Sequence, residues 1–443
     1  MSNERVIEDF LMEDYSQTAL YSSFRSIASY IDGLKPSSRK VIFTAKKRNI
    51  HKPVKVSRFA ADVSSETEYL HGEGSLQSVI VNLAQNFVGS NNDNLLHPEG
   101  SFGTRFSPIA AAPRYIFTRK SESFDKYFNK DDDDILISQD FEGNEIEPRF
   151  FVPVIPLLFI NGSEGIGTGF AQKILPRNIE EIRKYIDYRL NGKTSKMSLK
   201  PFYRGFNGKI YPGEGTLSWV LEGNVEIKNK TTLEVTELPI GYTLSSYIKV
   251  LNDLSEKKII KDYEDLSENE SFHFVISVTR DFTNNSEDRI YDILKLRKRV
   301  TENLTCVDEN NSIIEFDSVE EILDSYIELR LNYYTKRKEL LLSKYKKEKN
   351  LLDSKAHFIK SVIEESIIVS NRPKNNILDQ IEANDYPFIK VSDDNPYDYL
   401  LNLPIYSLSK ERYEDLIRLA KEKSSQIEIL EKKTEKELWK EDL

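Results

Sequence analysis

Ala110-Ala-Ala-Pro-Arg-Tyr-Ile-Phe-Thr118 sets small, flexible residues and a proline against an Arg-Tyr pair and then an apolar run. Arg114 to Thr118 reads as a strand. Upstream the spacing is helical. Pro36, followed by Ser37, Ser38, Arg39 and Lys40, marks a helix start, with Val41, Ile42, Phe43 and Ala45 on its apolar side and Pro53 as its breaker. A second helix is predicted from Lys55 to Ser64. A third runs from Ser75 to Phe87, where Leu76, Val79, Ile80, Leu83 and Phe87 recur at helical spacing. Gly100 to Arg105 is a loop. Three short helices with a strand are the composition of a winged helix-turn-helix.

A net charge of −10 over 443 residues argues against a polyanionic partner, but its distribution argues for one. From Arg25 to Arg58 stand ten Lys or Arg (25, 35, 39, 40, 46, 47, 48, 52, 55 and 58) against Asp32 alone, a block of +9 in a remainder of −19. Such a block can neutralise several phosphates and release their counterions. The competing reading is a solvated helical face.

Tyr115 is one of 23 tyrosines, and the residues alone leave it either a core residue or a nucleophile. A phenol, with a pKa of about 10, needs a nearby cation or base to act as a nucleophile. Arg114 adjoins it, and a guanidinium can grip a phosphate in bidentate fashion. Neighbours on a strand point to opposite faces, so the pair would have to meet at a twist or a strand end. His71, by itself, is a lone loop histidine.

Beyond residue 126 strand signals prevail. Phe150 to Ile160 is a continuous apolar run, and Lys209–Tyr211, Thr231–Thr236 and Ser271–Val278 alternate as half-buried strands do. From about Val319 the period changes: Tyr326, Leu329, Tyr333 and Leu340, then Leu416, Leu419, Ile427 and Leu430, recur among charged residues on either side of breaks at Arg372-Pro373 and Asp385-Tyr-Pro387. Two long amphipathic helices around a compact segment predict an antiparallel coiled-coil hairpin. Asp131 to Asp134 reads as a solvated loop, since four consecutive residues cannot all face one ion. With Cys306 the single cysteine, neither a disulfide framework nor a cysteine zinc site is available within the chain. The acidic start lacks the apolar core of a signal peptide and no apolar run could span a bilayer, so a soluble, intracellular protein without membrane partners is expected.

Arg25-Ser-Ile27, Asp32-Gly-Leu-Lys-Pro36, Arg39-Lys-Val41, Lys55-Val56, His71-Gly-Glu73, Asn82 to Asn92, Gly100-Ser-Phe-Gly-Thr-Arg105, Ala111 to Thr118 and Ile160 to Gly169 together resemble, in order, the breakage-reunion core of type IIA DNA topoisomerases. The wording is closest to the eukaryotic enzymes, and weaker similarity through Phe358-Ile-Lys360 and Tyr399-Leu-Leu401 carries the resemblance over nearly the whole chain. It implies that Tyr115 attacks the phosphodiester, leaving a 5′-phosphotyrosine, with Arg114 and His71 stabilising the charged phosphate. Arg25, Lys35 and Arg39 would surround the same site, and Lys40, Lys46, Lys47, Arg48, Lys55 and Arg105 would add to the DNA contacts. Leu70 departs from a second histidine common in the family. Gly165-Ile-Gly-Thr-Gly169 lacks the Lys-Ser/Thr of a P-loop. The resemblance makes Ile166 an apolar wedge that unstacks a base step.

The fold expected is α+β and multidomain: a winged-helix cleavage domain at 1–125, an α/β tower domain at 126–315, and a coiled-coil hairpin at 316–443 with a dimerising C-gate tip near 366–408. Neither a P-loop nor the family's paired Asp-x-Asp is found, so no metal is expected on this chain. Mg2+ and ATP are assigned to a partner chain carrying the metal-binding and ATPase domains, in a heterotetramer or larger complex around a homodimer. That split arrangement most resembles the medium subunit of T4-like phage enzymes, which would place the protein in host-cell cytoplasm. Rival readings are a tyrosine recombinase or nicking nuclease, and a non-enzymatic DNA-bending coiled-coil dimer.

Overall fold

Pro36 opens a helix, as its fixed φ and missing N–H favour. In the computed structural model, which describes residues 7, 10–193, 197, 199–389 and 395–443, α1 spans Ser16–Ser26 and α2 Pro36–Lys47. Strand β1 (Val54–Lys55) runs directly into α3 (Val56–Glu66), and α4 covers Glu73–Ala84. Strands β2 (Leu96–Glu99) and β3 (Phe117–Lys120) complete an antiparallel sheet of order β1-β3-β2. The expected strand from Arg114 therefore begins only at Phe117. Residues 112–115 form a β-turn instead, closed by the Tyr115 N–H donating to the Ala112 carbonyl at 2.9 Å, with Pro113 in the second position where its ring is preferred.

The apolar run 150–160 is wholly buried, yet it is not a strand. Pro153 and Pro156 have no N–H to offer a central ladder, so the chain crosses the core without a sheet and ends in one helical turn, Leu157–Asn161. The hairpin of β4 (Ser163–Ile166) and β5 (Ala171–Ile174) follows. A four-stranded antiparallel sheet of β6 (Asn224–Asn229), β7 (Thr232–Glu237), β8 (Asp262–Asp265) and β9 (Phe274–Ser277) has the order β6-β7-β9-β8. Alternate residues Leu233, Val235, Phe274 and Ile276 point into one core with Tyr247 and Leu251. The Asp131–Asp134 run is not a free loop. It lies on a 3-10 helix, Lys130–Ile135, with Asp132 buried 2.9 Å from Arg330 and Asp133 2.6 Å from Lys46, because an interior guanidinium requires a counter-charge.

Two compact units divide the chain: residues 1–330 with 442–443, and residues 331–441. The first holds every element described so far and the start of a 45-residue helix, α5 (Val319–Ile363). In the second, α5 pairs with α6 (Lys410–Lys432) in opposite directions. Ala356 and Ile359 meet Leu416, Lys423 reaches Glu348 at 2.7 Å, and Lys346 reaches Glu431 at 2.8 Å. Leu416, Ala420, Ile427 and Leu430 are buried; Leu419, expected on the seam, is only half-buried beside Ala420. Trp439, on α7 (Glu435–Asp442), is fully buried and stacks on Tyr334 with centroids 5.6 Å apart. Phe358, Ile367, Ile381, Tyr386, Tyr397 and Leu400 form a separate core at the far end. Part of the expected dimerising segment 366–408, residues 390–394, lies outside the described residues, as do the first six residues of the acidic start. No described helix is long and apolar enough to cross a membrane. The architecture is mixed α+β.

Candidate active site and nucleic-acid interface

Because Arg114 and Tyr115 sit in a turn rather than on a strand, both side chains can face the same way. The Arg114 guanidinium lies over the Tyr115 ring, 5.4 Å from its centroid, and the tyrosine is 69% exposed. The turn is pinned to the start of α3. Val56 N–H donates to the Ile116 carbonyl at 3.0 Å and Ser57 N–H to the Pro113 carbonyl at 3.2 Å. Lys55, Arg58 and Lys52, at or just before that helix start, are exposed. Among the described residues these three, with Arg25 and Arg114, are exposed cations for which no ion pair is found. The result is an accessible phenol with unneutralised positive charge on the elements that carry it, a surface suited to a phosphodiester.

A second cluster forms on α1. The Tyr21 hydroxyl and His71 Nε2 are hydrogen-bonded at 2.8 Å, Tyr69 packs edge-on to the His71 ring at 5.4 Å, and Arg25 lies 5.6 Å from the Tyr21 centroid. His71 is exposed and has Tyr21 and Tyr69 as its partners among the described residues; Tyr115 is not one of them. The other side of α1 holds the β4–β5 hairpin, whose tip carries Ile166, 80% exposed. The glycines here are not slack. A Cβ on Gly165 would stand 1.9 Å from the Ser26 carbonyl oxygen, and one on Gly167 would stand 2.7 Å from the Ser23 Cα, so the hairpin needs glycine to seat against the helix. Lys35 secures the same hairpin, donating to the Glu164 carbonyl at 2.7 Å, and its partial burial lowers its pKa from the ordinary lysine value.

Much of the +9 block is already neutralised. Arg39 is buried and bidentate on Asp32, with Nε at 2.7 Å from Oδ2, so it shapes the Asp32–Leu34 turn. Lys40 pairs with Glu147 at 2.9 Å, Lys46 with Asp133, Lys47 with Glu66, and Arg48 with both Asp62 and Glu66. Arg105 is likewise buried on Glu237, not on the surface. Arg39 and Arg105, both expected at the DNA, are thus held in the interior on carboxylates, since a desolvated guanidinium keeps the carboxylate that compensates it. Lys52, Arg58 and Tyr21 were not named singly among the expected site residues, although the two cations belong to the basic block. Tyr21 had a legible signal in its i, i+4 spacing to Arg25 on a helix. Among the described residues, no group of three His, Cys, Asp or Glu side chains could hold a metal ion. Cys306 is buried, its thiol pushed up to about 12 by desolvation.

Comparison with known proteins finds relatives along nearly the whole chain. The family model for the A-type subunits of DNA gyrase/topoisomerase IV matches residues 25–443. The chain is 35% identical over 444 residues to DNA topoisomerase 2, mitochondrial, of Dictyostelium discoideum, covering 98% of this chain and 34% of that protein. It is also 35% identical over 480 residues to human DNA topoisomerase 2-alpha, covering 98% and 31% respectively. The crystal structure of the Plasmodium falciparum topoisomerase II DNA-binding, cleavage and re-ligation domain superposes with a TM-score of 0.90 at 34% identity, covering 98% of this chain and 63% of that one. The chain thus spans about a third of the length of these curated relatives.

Proposed function

Since this chain belongs to the DNA gyrase/topoisomerase IV family of A-type subunits, we propose that it cuts and rejoins duplex DNA through Tyr115. The phenolic oxygen attacks phosphorus and gives up its proton, and the bond from phosphorus to the 3′ oxygen breaks. A 3′ hydroxyl and a 5′-phosphotyrosine result. Attack by that hydroxyl reverses the step without external energy, because the phosphotyrosine keeps the bond energy. Arg114 holds a non-bridging oxygen and His71 stabilises the developing charge. Arg25, Lys52, Lys55 and Arg58 bind neighbouring phosphates, and Ile166 enters the base stack. The observation that carries this is an exposed phenol held in a proline turn beneath a guanidinium.

Residues 1–125 form the winged-helix cleavage domain of this proposal, 126–315 the tower beside it, and 316–443 a coiled-coil hairpin. A second copy docks at the hairpin tip, where Ile405, Tyr406 and Phe388 are exposed. Magnesium and ATP are held by partner domains, and a second duplex passes through the break.

Tyr115→Phe tests the proposal. Covalent protein–DNA adducts trapped with denaturant should disappear, while affinity for duplex DNA stays within about twofold. Adducts that survive this substitution would remove Tyr115 from the role.

A further inference from the structure

The loop that delivers the Arg114–Tyr115 turn is fastened on two sides. Toward the helices, the Gln85 side-chain amide donates to the Phe102 carbonyl at 2.9 Å and to the Pro108 carbonyl at 3.1 Å. Toward the four-stranded sheet, the Arg105 guanidinium is buried, donates to Glu237 and to the Leu238 carbonyl at 3.0 Å, and lies 4.7 Å over the Phe272 ring. Glu237, the last residue of β7, is itself buried. It also accepts from the backbone N–H of Asn207 at 3.0 Å and of Leu238 at 2.9 Å. Phe106 packs into that sheet's core, 5.1 Å from Phe272, and its carbonyl accepts from Leu244 N–H at 3.2 Å.

Between this anchor and the nucleophile the loop is cross-braced. Thr104 and Ser107 exchange backbone hydrogen bonds at 2.8 and 3.1 Å, Ala111 N–H donates to the Ser101 carbonyl at 2.9 Å, and Tyr115 N–H closes on Ala112. At Gly103 the two limbs approach so closely that a Cβ would stand 2.7 Å from the Pro108 carbonyl carbon. With so little slack, a displacement at Arg105 is passed on to the turn.

We infer that Arg105 is a positioning residue: with Glu237 and Phe106 it clamps the nucleophile loop to the β6–β9 sheet, so that movement of the sheet sets where the Tyr115 oxygen stands. The inference rests on Tyr115 being the nucleophile. It assigns Arg105 no contact with DNA.

The test uses the full chain assembled with its metal-binding partner, and the variants Arg105→Lys, Glu237→Gln, the uncharged pair Arg105→Met with Glu237→Gln, and Phe106→Leu. The last two keep the interior filled if either charge variant fails to fold. At saturating duplex the single-turnover rate of adduct formation should fall about 100-fold, the scale of a small misplacement of a reacting group. The double variant should fall no further than either single. Affinity for DNA, its salt dependence and the melting temperature of Phe106→Leu should stay near the parent's. Folded variants that form adducts at the parent rate would overturn the clamp, as would a loss confined to DNA affinity with a shallower salt slope. Tyr115→Phe in the same assay separates the two ideas: adducts persisting there reject the nucleophile, whereas adducts lost there but normal in the clamp variants reject only the clamp.

Discussion

Tyr21 carries a hydroxyl that fixes which way the His71 ring faces, since an imidazole bonded at Nε2 at 2.8 Å is held in one orientation. Tyr21→Phe keeps the ring against Tyr21's neighbours and removes that bond. Adduct formation should slow by about five- to tenfold with DNA affinity unchanged, measured under single turnover. Lys35 gives a pH signature. Its partial burial makes it harder to charge in the fold than in the unfolded chain, so its contribution to stability is complete in alkali and is lost as pH falls through its lowered value. Lys35→Met should flatten the rise of the urea midpoint with pH on the acid side of the ordinary lysine range. At this scale Arg114 and Tyr115 stood out through the resemblance, the residues alone leaving Tyr115 open, and the partners of the basic residues were not legible. Nothing local in the sequence says that Arg39 folds back on Asp32 or that Arg105 meets Glu237, 132 positions away, while Arg58 stays in solvent.

For the elements, the helices and alternating strands were legible because their periods are local, whereas the apolar run at 150–160 was not a strand because two prolines deny it a ladder. The Arg114–Tyr115 turn shows the same effect: β-favouring residues follow, yet Pro113 sets the geometry. The hairpin at Ile166 yields a paired prediction. Ile166→Ala leaves the hairpin seated and removes the wedge, so duplex bending seen by end-to-end fluorescence transfer should decrease with little change in melting temperature. Gly165→Ala drives a methyl into the Ser26 carbonyl and must displace the hairpin from α1, so bending and stability should both fall. Equal behaviour of the two variants would mean that the exposed isoleucine has no role of its own.

Taken whole, an acidic molecule of net charge −10 presents a small cationic surface, which on the proposed function would orient a duplex by repulsion elsewhere as well as attraction here. The count of ten cations overstates that surface, because half of them are matched by carboxylates. Replacing Lys52, Lys55 and Arg58 with alanine should lower the salt slope of DNA binding by about 2 to 3, from roughly 0.9 per phosphate contact. Replacing Lys46, Lys47 and Arg48 should leave that slope unchanged and lower stability instead. Filter binding across a range of potassium chloride distinguishes them. Family-level order was legible throughout the chain; the distribution of charge between interior and surface required the fold.

The α5–α6 pairing has a kinetic corollary. Lys338 donates to the Lys433 carbonyl at 2.6 Å across 95 positions, and closing so long a loop directly is entropically slow. The core built from Phe358, Ile381, Tyr386 and Leu400 needs far shorter closures. Once it condenses, the two arms start adjacent and can zip outward from it turn by turn, with Trp439 settling on Tyr334 last.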